Sequence, residues 1–155
     1  MTDPLGALHG VVNACEPLPG LLTGGQPEAH HLEALAGSAG VIVLDIRDPM
    51  ESRSFDEPAL ARSLGLQYVN VPVSSGSLSD ATLDRILEVL RSAGDRRVFF
   101  HCGSGNRVGG ALIPYLMLDK GLDEEAAIEA AMRVGLRSPE LLQWGLDYTQ
   151  RHVAP

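Results

Sequence analysis

The stretch FFHCGSGNRVGG, residues 99–110, places a cysteine between an apolar run and a glycine-rich loop that ends at an arginine. The run RRVFFH (96–101) has the apolar centre of a buried strand, and RVGGALIPYLMLDKG (107–121) is typical of a helix, with a kink expected at Pro114. Cys102 is therefore predicted to lie where a strand opens onto the N-terminus of a helix. Free backbone N–H groups and the helix dipole favour an anion at such a position.

Strand and helix patterns alternate on both sides of this stretch. The β-branched run VIVLDI (41–46) predicts a buried strand, and apolar residues at helical spacing predict a helix over 81–94 that Ser79 would cap. The alternation predicts an α/β fold with a mainly parallel central sheet flanked by helices and a helical C-terminal part. The segment 1–19 is expected to be loosely structured, and 74–80 is expected to be a loop. Strands are predicted at 21–27, 41–46, 66–73 and 96–101, and helices at 27–40, 57–65, 81–94, 107–121, 123–135 and 138–152.

Composition limits the function classes. A chain of 155 residues that is 45% hydrophobic is expected to form one domain, residues 1–155. The formal net charge of −8 argues against nucleic-acid binding, which needs clustered Lys and Arg. The two cysteines do not make a disulfide scaffold, and we expect neither a metal site nor a cofactor. No signal-peptide pattern or long apolar run is present, so we expect a cytoplasmic protein with no membrane contact.

The loop after Cys102 has the composition of an anion cradle. Gly103, Ser104 and Gly105 allow successive N–H groups to point inward around a tetrahedral oxyanion, and Asn106 adds another backbone donor. The planar guanidinium of Arg107 can hold two oxygens at once. Together these groups predict a thiolate nucleophile beside a bound oxyanion.

Residues near the loop can be interpreted either as supporting the site or as ordinary structural residues. His101 is expected to hydrogen-bond the loop and help the thiolate, and Arg47, at a strand end, could add positive charge to the site; a surface pair with Asp48 or Glu51 would also explain that arginine. Cys15 could act as a resolving thiol, although an idle thiol is the simpler interpretation. Cys102 itself could be a small buried apolar residue in a tight turn.

The HC…G…R pattern resembles the cysteine-dependent protein tyrosine and dual-specificity phosphatases. More closely, the segments LLTGGQP, VIVLDIR, GLQYVNVPVSSGSLSD and VFFHCGSGNR resemble the bacterial beta-lactamase-hydrolase-like phosphatase-like family, over about residues 20–118. The resemblance implies a three-layer phosphatase fold. It also implies a phosphate-monoester phosphatase in which Cys102 is the nucleophile, Arg107 binds the phosphate and the 103–107 amides form the cradle.

Three departures from the tyrosine phosphatases are visible. The gap between cysteine and arginine is one residue shorter, with four residues between Cys102 and Arg107. Val108 stands where a serine or threonine hydroxyl commonly assists the departing thiolate. Phosphatases of this kind also use an aspartic acid from a mobile loop, and Asp80 is the only carboxylate of VPVSSGSLSD, with Asp48 as a weaker candidate.

The substrate expected from these features is a phosphorylated small molecule or a phosphorylated peptide. The six-residue loop CGSGNR also resembles that of rhodanese-type sulfurtransferases, in which the cysteine carries a persulfide. A domain that binds an oxyanion without catalysis is the third alternative. The sequence indicates nothing about the oligomeric state.

Overall fold

The computed structural model describes residues 4–38, 40–74, 76 and 78–153, so Ser75 and Ser77 of the predicted loop lie outside the described residues. The strands are β1 (Cys15–Leu18), β2 (Leu21–Gly24), β3 (Ile42–Asp45), β4 (Gln67–Asn70) and β5 (Val98–His101). The helices are α1 (Ala29–Leu35), α2 (Glu57–Ser63), α3 (Asp80–Ser92), α4 (Asn106–Pro114), α5 (Glu124–Val134) and α6 (Pro139–His152). A short 3₁₀ helix, Leu5–Leu8, precedes β1.

The five strands form one sheet in the order β1-β2-β5-β3-β4. β2, β5, β3 and β4 are parallel, and β1 pairs antiparallel with β2 at the edge. The predicted mainly parallel sheet is confirmed. In the register, His101 pairs with Gly24 of β2 and Asp45 of β3, so the carboxyl ends of these three strands meet at one edge.

Both faces of the sheet are covered by helices, which confirms the three-layer prediction. Successive residues of β5 point to opposite faces, because side chains alternate along a strand. Phe99 packs with α1 and α2, and Phe100 packs with the C-terminal helices. The cluster of buried side chains around Phe99 includes Leu32, Leu35, Val43 and Ala61. The cluster around Phe100 includes Leu44, Leu83, Ile86, Leu112, Ala127 and Trp144. None of the helices in the described ranges is long and apolar enough to cross a membrane.

The helix boundaries follow local chemistry. The Ser79 hydroxyl accepts the Thr82 N–H at the start of α3, as predicted for an N-cap. Pro114 ends α4, and a π-helical turn, Tyr115–Asp119, follows it directly where a kink was predicted. Residues 4–19 of the N-terminal segment contain β1 as well as the 3₁₀ helix.

Glycines bring the backbone of α4 close to its neighbours. A Cβ added at Gly109 would lie 2.9 Å from the Ala131 carbonyl oxygen of α5. A Cβ added at Gly110 would lie 2.7 Å from the Leu141 carbonyl oxygen, and one added at Gly145 would overlap the Gly110 carbonyl oxygen. Helix α4, which carries the arginine of the loop, is thus held between α5 and α6 by contacts that only glycine allows.

Candidate active site

Cys102 follows β5 at the carboxyl edge of the sheet, as predicted. Its backbone N–H donates to the Gly24 carbonyl (3.3 Å), and its side chain is buried. The Gly105 N–H donates to the Cys102 Sγ at 3.1 Å. Gly105 reaches this position with φ of +95°, in the left-handed region that favours glycine. A backbone donor aimed at the sulfur stabilises negative charge there.

The loop carbonyls point away from the sulfur. The Gly103 carbonyl accepts the Gln26 N–H (3.1 Å), and the Ser104 carbonyl accepts the Asn13 side-chain amide (2.7 Å). Because C=O and N–H of a trans peptide point in opposite directions, the N–H groups of Ser104 and Gly105 face the other side. For Gly105 that side is the sulfur. For the Gly105 N–H, this is the orientation that the predicted anion cradle requires.

Asn106 does not offer its side chain to the site. Its Oδ1 accepts the backbone N–H groups of Arg137 (2.7 Å) and Ser138 (3.2 Å). This contact ties the loop to the connection between α5 and α6. Only the backbone of Asn106 remains available for the predicted contact with substrate.

Arg107, in the first turn of α4, is held by an unpredicted partner. Its two terminal nitrogens donate to Glu51 at 2.7 and 2.9 Å, and Nη1 also donates to the Val73 carbonyl (3.0 Å). The hydrogen bonds with Glu51 raise the pKa of Arg107, and those with Arg107 lower the pKa of Glu51. Sequence reasoning considered Glu51 only as a partner of Arg47. The sequence did carry one signal for this contact. Glu51 lies on the loop that follows a parallel strand, and ligands bind at the edge of the sheet where such loops begin.

His101 is buried beneath the loop. Its Nε2 lies 2.6 Å from Glu57 Oε2, and its Nδ1 lies 3.3 Å from the Cys102 carbonyl oxygen. The ring also stacks on Phe99, with centroids 4.8 Å apart. These contacts place His101 out of reach of a substrate and make it a positioning residue for the cysteine loop.

Arg47 lies inside the protein, which corrects both sequence interpretations of it. It is 1% exposed, so it neither binds substrate nor pairs at the surface. Its guanidinium donates to Asp45 (2.9 Å), Glu57 (2.7 Å) and Gln26 (2.9 Å). Arg47 therefore pairs with both carboxylates behind His101, and Arg53 Nη1 lies 3.1 Å from Asp45 as a second cation.

The buried carboxylates belong to an ion-pair network. Burial alone would raise the pKa of Asp45, but bonds from Arg47, the nearby His101 and the Tyr68 hydroxyl outweigh it and lower the pKa to about 2. Ligand atoms of Asp45, Glu57 and His101 lie within 4.8 Å of one another, a donor set suited to a metal ion. The Asp45 and Glu57 oxygens already accept from Arg47 and other groups, so we assign the cluster to structural support.

Neither carboxylate considered as a general acid contacts the loop. Asp80 begins α3, and its carboxylate accepts from Arg151 Nε at 3.0 Å, which lowers its pKa. Asp48 accepts the Met50 N–H within its own turn (2.9 Å). Among the described residues, the carboxylate that contacts Arg107 is Glu51.

A cavity of about 160 Å³ opens beside Arg107. Val73, Leu78 and Leu141 form its apolar wall, and Glu140 lies at its exposed side. The arrangement places a guanidinium next to a small, partly apolar space.

Cys15 is too far from Cys102 to form a disulfide. Cys15 lies on β1 opposite Thr23, Thr23 pairs with Phe100 of β5, and Cys102 comes two residues later. Two strand spacings separate the cysteines by about 10 Å before this offset is added. Bridged cysteines need Cα atoms within about 7 Å. Cys15 is therefore not placed to resolve Cys102.

No family model and no curated protein matches this sequence. Solved structures do match it. A DUF442 protein from Shewanella putrefaciens superposes with a TM-score of 0.81 at 16% identity, covering 97% of this chain and 99% of that one. TpbA of P. aeruginosa, solved as a cysteine-to-serine variant in complex with pTyr, gives a TM-score of 0.69 at 20% identity, covering 97% and 86%.

The core catalytic domain of the PP-IP phosphatase SIW14 from S. cerevisiae, solved with citrate, gives a TM-score of 0.74 at 15% identity, covering 89% of this chain and 86% of that one. At these identities the likeness concerns the fold. The chain has the fold of the protein tyrosine phosphatase-like phosphatases.

Proposed function

We propose that this protein is a cysteine-dependent phosphatase that hydrolyses a phosphate monoester through a phosphocysteine intermediate. The observation that carries the proposal is the Gly105 N–H donated to the Cys102 Sγ at 3.1 Å, at the base of the loop that ends in Arg107. A sulfur that accepts a backbone N–H, in a loop that ends in a guanidinium able to bind two oxygens, is the arrangement that nucleophilic attack on a phosphoryl group requires.

The proposed reaction has two steps. The Cys102 thiolate attacks phosphorus, an S–P bond forms, and the bond from phosphorus to the leaving oxygen breaks. The oxygens of the phosphoryl group replace the Glu51 carboxylate at Arg107 and accept the loop N–H groups. A water oxygen then attacks phosphorus, the S–P bond breaks, and inorganic phosphate and the thiolate are released. Val108, which lacks a hydroxyl, gives the departing thiolate no assistance.

The leaving oxygen takes its proton from water in this proposal. A glutamate is ordinarily ionised at neutral pH, so Glu51 holds no proton to donate, and Asp80 is bound to Arg151. Without a side-chain acid, an ester with a good leaving group is hydrolysed faster. We therefore expect aryl phosphates to be better substrates than alkyl phosphates, and Asp80→Asn to leave kcat for both unchanged. A large drop in kcat for Asp80→Asn would restore Asp80 as the acid.

The deciding assay is hydrolysis of 4-nitrophenyl phosphate. Cys102→Ser is expected to abolish turnover, and Cys15→Ser, the other cysteine of the chain, to retain it. Turnover of thiosulfate with cyanide, without phosphatase activity, would indicate sulfur transfer. A rise in Tm with phosphate but no turnover would indicate a binding domain.

We also propose a family, a location and a substrate class for this protein. The segments around LLTGGQP and VFFHCGSGNR support membership of the beta-lactamase-hydrolase-like phosphatase-like family, with residues 1–155 acting as one domain. The need for a free thiol supports a cytoplasmic location. The substrate class proposed is a phosphorylated small molecule or peptide, in keeping with the structural likeness to TpbA, which was solved with pTyr.

A further inference from the structure

A groove leads away from Arg107 along helix α6. The cavity beside Arg107 and a second cavity of about 430 Å³ share Leu78 and Glu140 as lining residues, so the two adjoin. The second cavity continues along α6 past Asp147 to Arg151. The groove is thus longer than the phosphate ester of a single aromatic ring would occupy.

The charge along this groove is negative. Glu140 is exposed and has no salt bridge within the part of the chain that the structure describes. Asp147 accepts from the neutral amide of Gln143 (2.7 Å). Arg151, the cation at the far end, is already paired with Asp80. The groove therefore offers two carboxylates, from Glu140 and Asp147, to a positively charged ligand.

The spacing of these carboxylates matches an extended peptide. Glu140 and Asp147 are seven residues apart on α6, which is about two turns and about 10 Å along the helix axis. An extended chain advances about 3.3 Å per residue, so about three peptide residues span the same distance. Side chains alternate along an extended chain, so residues two and four positions from the phosphoresidue share its face. A basic side chain at the second position would reach Glu140, and the long side chain of a Lys or Arg at the fourth would reach Asp147.

We propose that the groove binds a basic phosphopeptide, with one Lys or Arg two positions from the phosphorylated residue and a second four positions from it in the same direction. The inference rests on the proposed function for the phosphoryl end alone. The apolar wall formed by Val73, Leu78 and Leu141 takes the side chain that carries the phosphate. Substrates with further negative charge, such as nucleotides or polyphosphorylated rings, are repelled by Glu140 and Asp147.

The test measures binding, so it does not depend on turnover. Fluorescent phosphotyrosine peptides with Lys, or with Glu, at the two positions are titrated into Cys102→Ser protein at low salt, with the spacing placed on either side of the phosphoresidue. The two Lys peptides differ in the side of the phosphoresidue on which the basic residues lie. We expect the one that binds more tightly to bind about tenfold more tightly than the Glu peptide with the same placement. High salt should reduce this ratio. Glu140→Gln and Asp147→Asn should each lower it about threefold, and Glu125→Gln, an exposed charge on α5, should not change it.

Two results would overturn the inference: equal or weaker binding of the Lys peptides, and a preference that survives Glu140→Gln and Asp147→Asn. The proposed function fails separately. A wild-type protein that prefers Lys peptides but does not hydrolyse 4-nitrophenyl phosphate would have the docking groove without the chemistry.

Discussion

Replacing Gly105 by alanine tests whether backbone contact fixes the shape of the cysteine loop. At φ of +95° an alanine costs about 1–2 kcal/mol more than glycine. Its Cβ would also overlap the carbonyl oxygen of Val134 at the end of α5. Relieving that overlap by moving the two helix ends apart costs about 1–3 kcal/mol more. We therefore expect Gly105→Ala to lower the free energy of unfolding by about 2–5 kcal/mol.

Gly121→Ala is the matched control. Gly121 also has positive φ (+73°), but no heavy atom lies within 4 Å of the position of its added Cβ. It carries the backbone cost alone, so Gly105→Ala should be less stable than Gly121→Ala by about 1–3 kcal/mol. Urea unfolding followed by circular dichroism at pH 7 measures the difference, and turnover should fall in Gly105→Ala only. Equal stability of the two variants would refute the contact with Val134 as the constraint on the loop.

Three further predictions concern charged groups. Arg107→Lys should lower kcat/KM on 4-nitrophenyl phosphate by about 100-fold, because an ammonium cannot hold two oxygens; a change below tenfold would contradict the bidentate role. Glu51→Gln should lower the Ki of inorganic phosphate about threefold by weakening a competitor for Arg107; a higher Ki would instead make Glu51 a positioning residue. Because the pKa of Asp45 falls from 3.8 to about 2 on folding, it adds about 2 kcal/mol of stability that is present above pH 4 and lost toward pH 2. Urea midpoints across this range should show a smaller loss in Tyr68→Phe, which removes a bond to Asp45.

The parallel strands were predictable because their signal is local. A run such as VIVLDI carries its β propensity and its burial in consecutive residues, and β3 lies within it. Strand β1 has no such signal. It is four residues long, contains Glu16 and Pro17, and lies at the sheet edge, where proline is tolerated. Only pairing with β2 makes it a strand.

In the candidate site, too, the contacts between residues close in sequence were predictable and those between distant residues were not. Cys102 and Arg107 are five positions apart, and a strand, a glycine loop and a helix start bring them together without help from distant segments. The partners of the other charged groups come from far along the chain. Asp80 pairs with Arg151, 71 positions away, and Glu51 with Arg107, 56 positions away. Such pairings are set by tertiary packing, so the residue types alone did not reveal them.

The glycine contacts of helix α4 have a consequence for ligand binding. Gly110 and Gly145 allow the backbones of α4 and α6 to meet directly, so a shift of α4 toward α6 would bring backbone atoms into overlap. We expect this contact to hold the first turn of α4 in place and so to preorganise the loop donors before any oxyanion arrives. Affinity is then not reduced by the entropy of ordering the loop.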